Sequence, residues 1–193
     1  MKNKAATKVI TSAQTRLSYA NVWTPKPGLN GGREAYSCVL NIPKTDEKTL
    51  EKIRAAIEAA YEEGKTKLKG NGKSVPPLSA IRTPLRDGDE ERPDQPEFAG
   101  CWFISAKSYM APGIVDLDRN EILDHSEVYS GVYARVSISF YAYNVNGSKG
   151  IACGLNNIQK VKDGKPFGGR SRAEDDFADA DDDDDDGDED FVS

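Results

Sequence analysis

Residues 132–145 read VYARVSISFYAYNV and are followed by Asn146-Gly147. The even positions Val132, Ala134, Val136, Ile138, Phe140 and Ala142 are apolar, whereas the odd positions are Tyr133, Arg135, Ser137, Ser139, Tyr141 and Tyr143. A period of two puts the sets on opposite faces of one long strand, with the even face in the core. Asn-Gly favours a tight hairpin turn, which predicts an antiparallel partner over Gly150–Val161.

Working outward, Thr7–Tyr19 alternates in the same way and reads as a two-faced strand or two short strands in line. The stretch NVWTPKPGLNGG breaks regular structure with its prolines and glycines and reads as a loop. Arg33–Ile42 is a strand ended by Pro43. A helix follows, capped by Thr45 or Asp46 and stopped by Gly64, with Leu50, Ile53, Ile57, Ala60 and Tyr61 on one stripe. Residues 65–96 form a long surface excursion, with one short strand at Leu78–Arg82. Strand signals return at Cys101–Tyr109 and Ile114–Leu117, and Asp118–Asn120 form a turn. Five or six strands and one large helix suit a mainly β fold, a small closed or partly closed barrel.

With 193 residues and 37% hydrophobic content the chain has material for one core. All 26 basic residues precede position 174, and 13 of the 32 acids follow position 173, so the preceding part carries 26 − 19 = +7. A positive body joined to a polyacid points to a polyanionic partner. The expected division is a folded domain over 5–163 and a flexible linker and acidic tail over 164–193, because consecutive aspartates repel one another and bury nothing. The charged start MKNKAATKVI and the lack of a long apolar run predict neither export nor a membrane span.

The odd face of 132–145 offers rings for bases to stack on and an arginine for phosphate. Phe103, Ser105, Lys107 and Tyr109 share one face of the strand CWFISAKSY, and Trp102, Ile104 and Ala106 the other. If the two polar-aromatic faces align, Phe103, Tyr109, Tyr133, Tyr141 and Tyr143 make a stacking platform. Trp23 is either a further stacking residue or a hydrophobic plug. Arg135, Lys107, Arg16, Arg33, Arg82 and the excursion lysines Lys65, Lys67, Lys69 and Lys73 are the candidate phosphate contacts. Stacking with little base preference favours unpaired strands over duplex. The competing reading of the same residues is a half-exposed sheet face whose tyrosines only cover their neighbours.

In the tail, Asp181, Asp182, Asp183, Asp184, Asp185, Asp186, Asp188, Glu189 and Asp190 with Phe191 can occupy a positive groove when nucleic acid is absent, then turn to a partner protein when displaced. An assembly factor acting through this tail is the alternative from another class. Asp116 with Asp118, or Asp87, Asp89, Glu90 and Glu91, could hold a metal for phosphodiester cleavage, a less favoured third reading. His125 lacks a spaced partner for a triad. Cys38, Cys101 and Cys153 read as free, mostly buried thiols, and the sequence implies no metal or other cofactor.

The succession TRLSYANVW, AYSCVLNIPK, EFAGCWFISAKS, EVYSGVYARVSISFYAYN, KGIACGLNNIQKV and an acidic end resembles the bacteriophage single-stranded DNA-binding proteins, of the short-tailed coliphage replication and recombination type and their siphophage relatives. The segment SGVYARV, 130–136, carries most of the likeness. The resemblance implies an oligonucleotide-binding barrel (OB-fold) with an inserted helix and sequence-independent binding of single-stranded DNA. It also implies a homodimer, with a tail that contacts phage DNA polymerase and helicase or primase in the cytoplasm of the bacterial host. It places Tyr133, Arg135, Phe103 and Lys107 in or near the DNA groove, and it implies no enzymatic activity.

Overall fold

The structure, a computed structural model, describes residues 6–168. Among these, eight strands form one sheet: β1 (Lys8–Ile10), β2 (Arg16–Lys26), β3 (Ala35–Pro43), β4 (Arg86–Asp87), β5 (Cys101–Ser108), β6 (Gly113–Val115), β7 (Tyr133–Val145) and β8 (Ser148–Lys162). The strand order β7-β2-β3-β5-β8, with β8 returning to pair with β7, closes a ring of five strands. The three short strands add to that circuit: β1 pairs antiparallel with β7, β4 lies on β5, and β6 runs parallel to β8. This architecture is the mainly β, OB-fold-like one expected, with one large helix, α1 (Glu47–Glu63), inserted between β3 and β4.

Parity along β7 holds over its whole length. Val132, Ala134, Val136, Ile138, Phe140 and Ala142 are all buried, and every odd residue from Tyr133 to Tyr143 is at least partly exposed. Asn146 and Gly147 both adopt positive φ, 51° and 82°, the backbone of a tight turn whose twist matches the two strands it joins. Register shifts at Tyr133/Ala134 and Ser137/Ile138 mark bulges that bend the long ribbon around the ring.

The helix forms where the spacing requires. Asp46 accepts the Thr49 amide at 3.4 Å, and Gly64 donates to Ala60 and Tyr61 at the other end. Leu50, Ile53, Ala56, Ile57 and Ala60 are buried against β1 and β7. Truncating Ile53, fully buried here, to alanine should cost about 2–5 kcal/mol.

Two segments differ from their sequence reading. The stretch read as a loop from Asn21 is the second half of β2, which continues to Lys26. Its pairing with β3 is irregular between Asn21 and Lys26, so the missing amide of Pro25 breaks no regular ladder there. The strand expected at Leu78–Arg82 is a short 3-10 turn, Leu78–Ala80, followed by a single bridge from Arg82 to Gly150. The excursion also contains α2 (Lys65–Lys69), β4 and α3 (Gly88–Glu91), so it is tied to the ring at several points. No helix among the described residues is long and apolar enough to cross a membrane.

Candidate nucleic-acid interface

On the outside of the ring, β5 and the early part of β8 form the floor of an open cleft of about 460 Å³, and the excursion forms its wall. Arg82, Arg86 and Arg92 enter from the wall, Lys107 from β5 and Tyr143 from β7. Backbone pairing fixes the wall. Ile151 N–H donates to Arg82 O at 2.8 Å, and Arg86 pairs with Phe103 through β4. Lys44 holds the next stretch by ion pairs to Asp87 at 2.8 Å and Asp89 at 2.7 Å. The Lys44 hydrogen bonds are the main reason both carboxyls lie below the usual aspartate range, and Lys44 is raised by the same bonds. Arg86 is partly neutralised by Glu91 at 3.1 Å, whereas the Arg92 guanidinium lies 5.8 Å from the centre of the Phe103 ring.

Beside the cleft stand two rings open to solvent, Tyr109 at 50% and Tyr141 at 45% exposure. Arg33 lies 4.2 Å and Lys107 5.8 Å from the centre of the Tyr109 ring. Burial raises the Tyr141 phenol, and its ring lies against Gly154, the β8 residue that pairs with Lys107 of β5. Rings next to cations, adjoining an arginine-lined cleft, can stack unpaired bases while the charges neutralise their phosphates.

The structure thus brings together Tyr109, Tyr141, Tyr143, Arg33, Arg82 and Lys107, and separates the other residues selected from sequence. Phe103 is only 3% exposed, because Phe98, just past the excursion, packs on it edge-on with centroids 5.0 Å apart. It forms part of the cleft floor and offers no open ring face. Trp23 stacks on His125 at 4.3 Å and donates to Val128 O at 2.9 Å, which supports the plug reading. Lys65, Lys67 and Lys69 belong to α2, which packs on β7 at the hairpin end. There Asn144 donates to Lys67 O, and Lys65 pairs with Glu62. Neither they nor the exposed Lys73 line the cleft.

Tyr133 and Arg135 occupy the far end of β7. Arg135 donates to Gln159 at 3.2 Å. Tyr133 is flanked by Arg16 at 4.9 Å and Lys162 at 4.6 Å. Arg16 also donates to the carbonyls of Gly131 and Lys165 and meets the Phe167 ring. Residues 164–168, which composition assigns to the start of the linker, therefore run along this end of the ring. Their close approach needs Gly131, whose φ is +116° and whose missing Cβ would stand 2.4 Å from Lys165 O. The tail residues Asp181 through Phe191 lie outside the described residues.

Arg86, Arg92 and the anchor Lys44 were not selected from sequence. The signal was there: arginines at 82, 86 and 92 recur through the excursion beside the acids that Lys44 needs. The carboxylates considered for metal have other roles. Asp87 and Asp89 pair with Lys44, and Asp116 accepts the amides of Asp118 and Asn120 to shape a turn. Among the described residues no three His, Cys, Asp or Glu side chains are grouped to hold a metal ion.

The family model described as Enterobacter phage Enc34, ssDNA-binding protein, matches residues 7–188. A putative protein p50 of Acyrthosiphon pisum secondary endosymbiont phage 1 is 28% identical over 172 residues, covering 85% of this chain and 89% of that one. The single-stranded DNA-binding protein of bacteriophage Enc34 in complex with ssDNA superposes with a TM-score of 0.66 at 28% identity, over 84% of this chain and 90% of that one. A C-terminally truncated form of the same protein gives 0.69 at 27% identity, over 83% and 88%. At 18% identity, gp2.5 of bacteriophage T7 shares the fold, with a TM-score of 0.57 over 96% of this chain and 99% of that one.

Proposed function

The chain belongs to the Enterobacter phage Enc34 single-stranded DNA-binding protein family, and from that premise we propose that it binds single-stranded DNA without sequence preference during phage replication and recombination, through the cleft of Arg82, Arg86, Arg92 and Lys107 and the tyrosines beside it. The observation that carries the site is the half-exposed Tyr109 ring with Arg33 and Lys107 against it, next to the open ring of Tyr141. Stacking accepts every base, and cations accept every phosphate, so the arrangement recognises an unpaired strand as such. Tyr143 and Phe103 shape the cleft, and the Tyr133–Arg16 end holds the chain that leads to the tail.

The acidic segment competes for this cleft. Cys101, by the exit of residues 165–168, and Lys107, in the cleft, lie on one face of β5, roughly 20 Å apart along the strand. Residues 169–174 alone, if extended, span about that distance, so the thirteen acids from Glu174 onward are within reach. Once displaced by DNA, the tail serves contacts with phage DNA polymerase and helicase or primase, and two copies associate as a homodimer. The site of action is the cytoplasm of the bacterial host, where phage DNA is copied.

Titration with oligo-dT and with duplex of equal length tests the reading. Tighter binding to oligo-dT, with quenching of the protein's fluorescence, is expected; equal affinity for the two rejects it.

A further inference from the structure

Away from the cleft, around β6 and the end of β8, the surface changes sign. A second cleft of about 400 Å³ is lined by Leu117, Ile122, Leu123 and Val161 and rimmed by Asp116, Asp118, Glu121, Asp124 and Glu127. Lys160 is its sole lining cation, and it is already paired with Glu127 and Asp163. Leu123 is 77% and Leu117 54% exposed, an apolar surface that a soluble body with so many cations elsewhere leaves uncovered.

The β7–β8 hairpin, at the opposite end of the same ribbon, is its complement. The tip residue Val145 is 61% exposed, and 145–149 read VNGSK, without an acid. Lys149 follows in β8, and α2 places Lys67 and Lys69 alongside. From Lys149 to Lys160 the strand runs roughly 35 Å, so basic and acidic ends are well separated on one molecule.

We propose that the hairpin tip of one copy docks into the Leu117–Leu123 cleft of the next, Val145 against the leucines and Lys149 against Asp118 and Glu121, so that copies array head to tail along a single strand of DNA. The proposal rests on the DNA-binding reading and adds to it the source of cooperativity. The two contacting surfaces differ, so each copy in the array leaves one of each kind free, and this contact, separate from the one that joins the homodimer, repeats instead of closing at two. DNA supplies the alignment, and opposite charges set the polarity of the array.

Two full-length variants test it, D118K/E121K and V145E/K149E, on an oligo-dT that holds one copy and on a long single strand. Both should match the wild type on the short oligo, and each alone should bind the long strand about tenfold more weakly and without cooperativity. An equimolar mixture should restore cooperative binding, because every contact in an alternating array is then between opposite charges. L117S/L123S, which changes no charge, should lose cooperativity and gain nothing from mixing. Non-cooperative wild-type binding on the long strand, cooperative binding by either charge variant alone, or a mixture that fails to recover overturns the array while leaving the DNA site intact. Failure of the wild type on the short oligo overturns the DNA-binding reading itself.

Discussion

The guanidinium carbon of Arg16 lies 4.0 Å from the centre of the Phe167 ring, and the same group donates to Lys165 O at 2.7 Å. An arginine near the start of the chain thus clamps the segment that leaves the ring, while the Tyr129 hydroxyl donates to Gly164 O and accepts from Gly164 N–H, and Phe167 N–H donates to Ser130 O. Arg16 is engaged in this clamp. Replacing Arg16 with alanine should destabilise the docked segment by about 1–3 kcal/mol through lost cation–π and charged hydrogen bonds. Limited proteolysis should then cut sooner within 163–168, with the affinity of a tail-free form for oligo-dT unchanged. A loss of that affinity comparable to that of a cleft variant would place Arg16 on the DNA instead.

Tyr109→Ala and Tyr141→Ala should each weaken oligo-dT binding by about 1–3 kcal/mol, the worth of one stacked base. Tyr133→Ala should leave that affinity nearly unchanged, since Arg16 and Lys162 already lie against its ring. Fluorescence titrations of the three variants compare the two ends of β7 directly. An effect of Tyr133→Ala as large as that of Tyr141→Ala would move the interface to the far end.

Which residues face outward was legible because β7 carries an uninterrupted period of two, and α1 was legible because Asp46 and Gly64 bracket one apolar stripe. Position around the ring was not legible. Tyr133 and Tyr141 share a face but stand four pairs apart on that face, and only the closure of β8 onto β5 decides that the Tyr141 end meets Lys107. Phe103 illustrates a second limit. Its parity is outward, yet Phe98, five positions earlier and beyond the turn at Gly100, covers it. The course of β2 past Pro25 was hidden for a local reason: proline and glycine read as breaks, and irregular pairing absorbs them.

The Lys44 clamp gives the cleft wall a defined pH response. Asp87 and Asp89 titrate below their ordinary value of 3.8 in the fold, so the stability they confer is present above that value and is lost as pH falls through their lowered folded values. Lys44 is raised, so its part is complete below the ordinary lysine value of 10.5 and is lost only as pH rises through the folded value. Protease sensitivity of residues 84–92 should therefore be flat from neutral pH down to about 4 and rise below it. Lys44→Met should show the loosened wall already at neutral pH; a variant as resistant as the wild type would mean that the ion pairs do not hold the segment.

Burial decides thiol chemistry. Desolvation pushes Cys38 up to about 12 and Cys153 above the usual thiol range, and both are enclosed. Cys101 is half-buried, raised by burial and partly compensated by Arg16 and Lys44. A thiol reagent at pH 8 should label Cys101 alone in the native chain, slowly, and all three cysteines after unfolding. Rapid native labelling of Cys38 or Cys153 would require the ring to open at β3 or β8.

The cleft cations should be readable one at a time in the salt dependence of binding. Each phosphate neutralised on a single strand releases condensed counterions and contributes about 0.7 to the slope of log K against log salt. Arg82→Ala, Arg92→Ala and Lys107→Ala should each lower the magnitude of that slope by about 0.7 and weaken binding most at low salt. Arg86→Ala should have a smaller effect, since Glu91 at 3.1 Å already offsets its charge, and Glu91→Gln should tighten binding by freeing it. Lys65→Ala should leave the slope unchanged, because that lysine pairs with Glu62 and stands outside the cleft. The slopes come from titrations of oligo-dT at several salt concentrations, with the segment from Glu174 removed so that its thirteen acids add nothing to the salt dependence. If Arg92 and Lys107 variants kept the full slope, the strand would have to lie elsewhere than between the excursion and β5.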